Sequence, residues 1–244
     1  MKAMVLAAGR GTRLHPYTLE KPKALVEIGG KPLLAIVLEK LIAAGFGTIV
    51  VNVHHFAEMI VDYLRENPVE ATVLISDERD RLLDTGGAII KAKQLLNGDE
   101  PFLVHNVDIL SDINLRHLID NHAKTDSIAT LAVGKRASSR QFLFDGAMRL
   151  CGWRNNITNK EIVPVKDVPP LEGYAFAGIH VVSPEIFRLI TKIGPFSIVE
   201  GYLSLCASWP IYGLDTSANH VLDVGKPQNL EKAADFFTKE GFLL

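Results

Sequence analysis

The stretch LAAGRGTRLHPYTLEKPKAL, residues 6–25, decides the reading of this chain. It continues an apolar run that starts at Lys2 and reads as a buried β-strand, too short for a signal-peptide core or a membrane span. Gly9 and Gly11 carry no side chain, so backbone N–H groups can approach an anion there without obstruction. Residues 1–25 hold five bases, Lys2, Arg10, Arg13, Lys21 and Lys23, against the single acid Glu20. In a chain whose net charge is −2, this local excess of positive charge points to a polyphosphate gripped by one loop.

Two familiar phosphate loops do not fit. A dinucleotide-binding turn needs a third glycine where Leu14 stands, and two arginines crowd the turn. A P-loop needs Ser or Thr after its Gly-Lys, but Gly30-Lys31 and Gly225-Lys226 are each followed by proline.

Outward from the loop, short apolar runs alternate with amphipathic stretches, the pattern of βα units feeding a mainly parallel sheet. Strands are expected near residues 2–7, 48–53, 71–76, 102–106 and 127–133, with helices near 32–44, 57–66, 87–96 and 115–123. Pro32 suits a first helical turn and Gly45 a stop. From about 135 to 175 the texture turns antiparallel, because the apolar runs 142–144 and 149–153 flank the turn dipeptide Asp145-Gly146. A strand at 174–182, a short helix opened by Pro184 and a last helix at 227–237 complete the expectation, with Phe236 and Phe237 in the core. With neither repeats nor Gly/Ser linkers, residues 1–244 read as one α/β domain: a mainly parallel sheet flanked by helices, with a small antiparallel insertion.

Composition narrows the function classes. Of 244 residues, 48% are hydrophobic and 22% charged, which is ordinary for a globular protein. Lys and Arg number 26 against 28 acids, so there is no broad basic face for nucleic acid or an anionic membrane. Cys151 and Cys206 show neither CxxC nor zinc-finger spacing and are expected as buried free thiols. No apolar run approaches the roughly 18 residues of a membrane span, so the expectation is a cytoplasmic protein.

The string GxGTRLxPxTxxxPKxL, carried here by Gly9, Gly11, Thr12, Arg13, Leu14, Pro16, Thr18, Pro22, Lys23 and Leu25, resembles the signature of the sugar-1-phosphate nucleotidyltransferases, also called nucleotide-sugar pyrophosphorylases. Further stretches extend the likeness: GGKPL at 29–33, DTGGAI at 84–89 and LDVGKP at 222–227, the last with Leu222 for the usual aromatic residue and Lys226 for the usual Thr. VNVHH at 51–55, DTGGA at 84–88 and AGIHVVSPE at 177–185 are similar to stand-alone N-acetylmuramate α-1-phosphate uridylyltransferases.

The resemblance implies a Rossmann-like fold and an enzyme. A sugar 1-phosphate would attack the α-phosphorus of a nucleoside triphosphate, and pyrophosphate would leave. Both reactants are anions, so the protein must offset charge and fix geometry, with no need for a covalent nucleophile. The resemblance assigns nucleotide binding to Ala8, Gly9, Gly11 and Thr12, with Arg13 clamping the leaving phosphates and Lys23 stabilising charge at the reacting phosphate. Thr85, Gly86 and Gly87 would approach the base or ribose through backbone groups, and Asn106 and Gly178 would touch the sugar substrate.

Magnesium is the implied cofactor, because it bridges phosphate oxygens and takes one or two carboxylates. Asp108, just past the strand at 102–106, and Asp223, ending another apolar run, are its implied ligands. The pair His54 and His55 suits a structural or sugar-contacting role better than a metal site, since neighbours on a strand face opposite ways. Many members of the resembling family also carry a Glu-Lys-Pro motif mid-chain that binds the sugar and its phosphate. Here the chain reads RNNITNKEIVPV after Trp153, leaving Arg154 and Lys166 as candidate substitutes.

The loop LDTGGAI at 83–89 resembles that of uridylyltransferases, with Asp84 for the usual Glu, and implies UTP with dTTP second. The alternatives are guanylyl transfer to mannose 1-phosphate, thymidylyl transfer to glucose 1-phosphate and cytidylyl transfer to phosphocholine. A fourth is a non-catalytic nucleotide-sugar sensor.

Overall fold

A computed structural model describes residues 1–225, 227–230 and 232–233. The first half runs β1 (Lys2–Leu6), β2 (Glu27–Ile28), β3 (Lys31–Pro32), α1 (Leu33–Ala43), β4 (Thr48–Val53), α2 (Ala57–Glu66), β5 (Thr72–Asp77), α3 (Asp84–Lys91), α4 (Lys93–Leu96), β6 (Phe102–Asn106), β7 (Ile109–Ser111) and α5 (Leu115–Ala123). The second half adds β8 (Ala129–Gly134), β9 (Arg140–Phe144), β10 (Leu150–Asn155), β11 (Lys160–Ile162), β12 (Glu172–Val182), α6 (Ile186–Leu189), α7 (Ile198–Leu205), β13 (Ile211–Asp215) and β14 (Val221–Asp223).

The main sheet has the order β11-β10-β9-β12-β6-β1-β4-β5, with β8 pairing β12 and β13. Strands β6, β1, β4 and β5 are parallel, β12 is antiparallel to β6, β8 and β9, and β13 runs parallel to β8. This is the mainly parallel α/β sheet with an antiparallel part that the sequence implies.

Alternation along the central strands fills a core on each face. Ala3, Val5, Ile49, Val51 and Leu103 pack on one side, and Met4, Val50, Phe102 and Val104 on the other. Helix α1 covers the first face through Leu34, Val37, Leu38 and Leu41, at helical spacing. It stops where Gly45 takes φ +88°: the Gly45 N–H donates to Ile42 O and the Phe46 N–H to Leu41 O, closing the exposed helix end.

Several elements differ from expectation. Pro32 caps α1 from β3, one residue outside the helix. The helix expected at 87–96 begins at Asp84 and divides at Ala92 into α3 and α4, so Thr85, Gly86 and Gly87 are helical. The β9–β10 hairpin forms, but its left-handed residue is Met148 (φ +58°) and not Gly146. There the Asp145 carboxylate accepts the Ala147 and Arg149 N–H groups, which favours a wider loop than a two-residue turn. Strands β7, β13 and β14 were not expected. The closing helix is seen at 227–230 and 232–233; the rest of the expected span, with Phe236 and Phe237, lies outside the described residues. Cys151 and Cys206 are buried and free, and burial pushes the Cys206 thiol up to about 11. Among the described residues no helix is long and apolar enough to cross a membrane.

Candidate active site

Parallel pairing sets Leu6, the end of β1, level with Asn52 of β4 and Asn106 of β6. Ligands of open α/β sheets sit beyond this carboxyl edge. A cavity of about 430 Å³ opens there, lined among others by Ala8, Gly9, Arg13, Lys23, Thr85, Asn106 and Asp108. A separate depression of about 380 Å³ beside α1, walled by Lys40, Ser111 and Asp112, contains none of the sequence-derived site residues.

The loop after β1 is shaped by Gly11. At φ +67° its carbonyl accepts both the Leu14 N–H and the Thr18 hydroxyl, each at 2.8 Å. A Cβ at Gly11 would come within 2.9 Å of the Thr18 methyl, so a side chain is excluded by space as well as by backbone. The folded loop brings Lys23 back to the strand ends, where its Nζ lies 2.7 Å from Asp108 Oδ2. Both side chains are largely buried, at 14% and 10% exposure, so the pair is much less screened than a surface ion pair.

Strands β7 and β14 bring the second aspartate. They pair Asp223 with Ile109, and the Val224 N–H donates to Asp108 O at 2.9 Å. The chain then turns at buried Gly225, whose N–H donates to Asp223 Oδ1. A Cβ at Gly225 would lie 2.7 Å from Asp108 Oδ2, 2.9 Å from Asp223 Oδ1 and 3.1 Å from an Arg13 guanidinium nitrogen. One point in space thus has two carboxylates and a guanidinium around it, with Lys23 on one of the carboxylates.

Two hard oxygen donors converging beside a phosphate loop fit a magnesium ion, which needs few protein ligands and completes its octahedron with water and phosphate oxygens. Among the described residues no cluster of three or more His, Cys, Asp or Glu is arranged to hold a metal ion.

A buried polar chain that sequence reasoning missed supports the same edge. Asn52 Oδ1 accepts the Ala7 and Ala8 N–H groups at 2.6 and 3.3 Å, and its amide donates to Glu78 Oε1 at 2.7 Å. The other Glu78 oxygen accepts the Leu83 N–H at 3.1 Å. Glu78 is fully buried, and burial, ahead of these hydrogen bonds, raises its pKa. The first turn of the phosphate loop is therefore tied to the segment that opens α3. The available signal was Asn52 itself, the one amide in the apolar run TIVVNV.

The remaining expected residues divide. Gly86 and Gly87 give their N–H groups to Phe196 O, at 2.9 and 3.3 Å, and have Phe196 and Gly194 where side chains would stand. Their N–H groups are thus committed inside the fold, which leaves their other backbone groups for the expected approach to the nucleotide. Thr85 lines the cavity, and its hydroxyl accepts the Ile198 N–H. Thr12 is exposed on the loop. Gly178, at φ +75° where the register of β12 shifts, lets Asn106 approach: a Cβ there would stand 2.7 Å from the Asn106 amide nitrogen. His54 and His55 follow β4, where the His55 ring lies against Phe56, with centroids 4.1 Å apart and planes tilted by 46°. Arg154 donates twice to Gln141 Oε1, at 3.0 and 2.8 Å, and Lys166 is exposed.

The fold brings a glycine-arginine loop and a converging carboxylate pair together at the carboxyl edge of the sheet, an arrangement suited to an enzyme that handles a polyphosphate. The chain belongs to the nucleotidyl transferase family, whose family model matches residues 2–240, and within it to the sugar-1-phosphate nucleotidyltransferases. It is 35% identical to the N-acetylmuramate α-1-phosphate uridylyltransferase of Caulobacter vibrioides, over 93% of this chain and 92% of that protein. It is 29% identical to the mannose-1-phosphate guanyltransferase of Yarrowia lipolytica, over 94% of this chain but 62% of that longer protein. In fold it is similar to HddC from Yersinia pseudotuberculosis complexed with GMP-PN, with a TM-score of 0.77 and 23% identity, covering 97% of this chain and 99% of that one. A putative glucose-1-phosphate thymidylyltransferase from Bacillus anthracis gives a TM-score of 0.83 at 16% identity, over 100% and 98% of the two chains.

Proposed function

We propose that the protein transfers the uridylyl group of UTP to N-acetylmuramate α-1-phosphate, releasing pyrophosphate and forming the UDP-sugar. The convergence of Asp108, Asp223 and Arg13 on one point beside Gly225 carries the reaction type. The choice of UTP and of this sugar phosphate rests on the Caulobacter relative, which matches nearly the full length of both chains.

The chemistry follows from the charges. An oxygen of the sugar 1-phosphate donates a lone pair to the α-phosphorus, and the electrons of the α–β bridging bond leave on pyrophosphate. A dianionic phosphate needs no base to be nucleophilic, so the protein's task is to hold two anions together and absorb charge where it develops. The backbone of Ala8, Gly9, Gly11 and Thr12 would cradle the triphosphate, with Arg13 on the departing phosphates and Lys23 on the α-phosphate. Asp108 and Asp223 would hold magnesium, which when bound neutralises and orients the phosphates. Lys23 offsets the negative charge of Asp108 and so keeps the pair open to an incoming anion. Thr85 and the segment before α3 would face the nucleoside.

Pyrophosphate release, measured with five nucleoside triphosphates against N-acetylmuramate α-1-phosphate, mannose 1-phosphate and glucose 1-phosphate, tests the proposal. The expected result is the highest kcat/KM for UTP with the first sugar. A higher value for GTP with mannose 1-phosphate would replace it by the guanylyl reading, which the Yarrowia relative favours. No pyrophosphate from any pair in the presence of magnesium would overturn the activity.

A further inference from the structure

After Trp153 the chain carries no Glu-Lys-Pro motif, yet a reaction between two phosphates needs a cation on the nucleophile's side as well as on the leaving group's. Arg13 and Lys23 both come from the loop after β1 and serve one flank of β6, the strand that leads to Asp108. On the other flank of β6 lies β12, and beside β12 lies β8. Two residues past the end of β8 stands Arg136.

Its guanidinium is half-buried and gives one nitrogen to the Phe176 carbonyl at 2.6 Å. That carbonyl sits where the β12 register shifts, the same irregularity in which Gly178 makes room for Asn106. Burial lowers the arginine's pKa, and the charge that acts in the opposite sense is the Asp223 carboxylate. Among the described residues no carboxylate lies within ion-pair distance of Arg136. The neighbouring cations are spent: Lys135 pairs with Glu172 at 2.8 Å, and Arg154 is turned onto Gln141. A half-buried guanidinium held by one carbonyl, with its other N–H donors uncommitted, is costly to keep unless an anion completes it.

Resting on the proposed reaction, we infer that Arg136 is the clamp for the phosphate of the sugar 1-phosphate. Displacement at the α-phosphorus requires nucleophile and leaving group on opposite sides, roughly in line. Arg136 follows β8, on the β12 flank of β6, Arg13 follows β1, on the other flank, and the Asp223 carboxylate is the charge that acts on Arg136. Arg136 holds the attacking phosphate and Arg13 the departing one. A fork of planar donors also suits a phosphate better than a lysine's single charge.

Steady-state kinetics of Arg136→Gln and Arg136→Lys test the assignment, with N-acetylmuramate α-1-phosphate or, if the wild type does not use it, mannose 1-phosphate. The expected result for Arg136→Gln is a KM for the sugar phosphate raised roughly tenfold or more, with the KM for the triphosphate within about twofold of wild type. Arg136→Lys is expected to fall between, because it keeps charge and loses the fork; it alone carries the test if Arg136→Gln fails to fold by thermal melting. An active wild type whose Arg136 variants change both KM values alike, or neither, overturns the clamp and leaves the reaction standing. The selective rise appearing in Arg154→Gln instead would do the same. A wild type that releases no pyrophosphate with any sugar 1-phosphate overturns the reaction, and the clamp with it.

Discussion

Replacing Gly225 by alanine separates the geometry of the site from the stability of the fold. The added methyl would stand 2.7 Å from Asp108 Oδ2, 2.9 Å from Asp223 Oδ1 and 3.1 Å from the Arg13 guanidinium. A comfortable carbon–oxygen contact is about 3.4 Å, so each carboxylate must withdraw by roughly half an ångström. All three clashing groups are ends of side chains that can rotate, so the backbone need not move. The expected loss of stability is at most about 1 kcal/mol. Catalysis tolerates no such displacement, since a constellation must hold to about 0.5 Å and a 1 Å error costs roughly a hundredfold. Gly225→Ala should therefore lower kcat/KM by roughly 10² or more, about 3 kcal/mol of transition-state stabilisation, and raise the magnesium concentration needed for half-maximal rate. Pyrophosphate release across a magnesium titration, beside a thermal melt of the same preparation, provides the assay. Gly134→Ala is the control, because its methyl would meet nothing closer than 3.5 Å. A folded Gly225→Ala enzyme with wild-type turnover and magnesium response would refute the convergence of these three residues on the reacting phosphate.

Lys23→Ala removes the partner of Asp108 and the cation proposed for the α-phosphate, and should lower turnover by roughly 10²–10⁴ in the protein that remains folded, with a lowered melting temperature because Asp108 is left buried and unpaired; near-normal turnover would end that assignment. Asn52→Ala leaves the Ala7 and Ala8 N–H groups and a buried Glu78 oxygen without their partner, which should cost about 3 kcal/mol or more in urea unfolding, whereas a loss below about 1 kcal/mol would show that water replaces the amide. Burial lowers His105 from 6.5 to about 4 and His180 to about 3, so both stay neutral in the folded protein. The unfolded chain takes up those protons first as pH falls, so this stability is present above about pH 6.5 and is lost on acidification. Between pH 7 and pH 5 each histidine should remove about 2 kcal/mol, and an unchanged urea midpoint would contradict their burial as neutral groups.

What the sequence discloses about this molecule depends on distance along the chain. The loop at 6–25 is legible because the glycines, the bases and the returning Lys23 lie within one short segment, and because β1 ahead of it is an unbroken apolar run. The parallel strands are legible for the same reason, since burial on both faces leaves each as a run of apolar residues. Strands β7 and β14 are three residues each and pair across nearly half of the chain. A strand that short has no periodicity to detect, so the partnership that carries Asp223 to Asp108 becomes visible only in three dimensions. Gly86 and Gly87 are only partly legible, for the opposite reason. Adjacent glycines read locally as a ligand-facing loop, but the crowding that requires them comes from Phe196 and Gly194, far away in sequence. Met148 in place of Gly146 at the left-handed turn position shows the same limit, because the Asp145 carboxylate decides the turn there.

Arg136 shows why the substitution of one clamp for another escapes motif reasoning. A phosphate clamp is defined by a donor at the right place on the sheet edge and not by its position in the chain. The Arg154 and Lys166 alternatives come from looking where relatives keep their lysine. The fold spends Arg154 on Gln141 and leaves Lys166 at the surface. It holds Arg136 instead through the carbonyl of an irregular strand, and that irregularity depends on Gly178 at φ +75°. The same glycine gives Asn106 its place, so one backbone feature positions both Asn106 and the proposed clamp Arg136. Any side chain at Gly178 would meet both a strained backbone and the Asn106 amide. Its effect on catalysis should therefore fall on the sugar phosphate rather than on the triphosphate, in the same sense as a change at Arg136 itself.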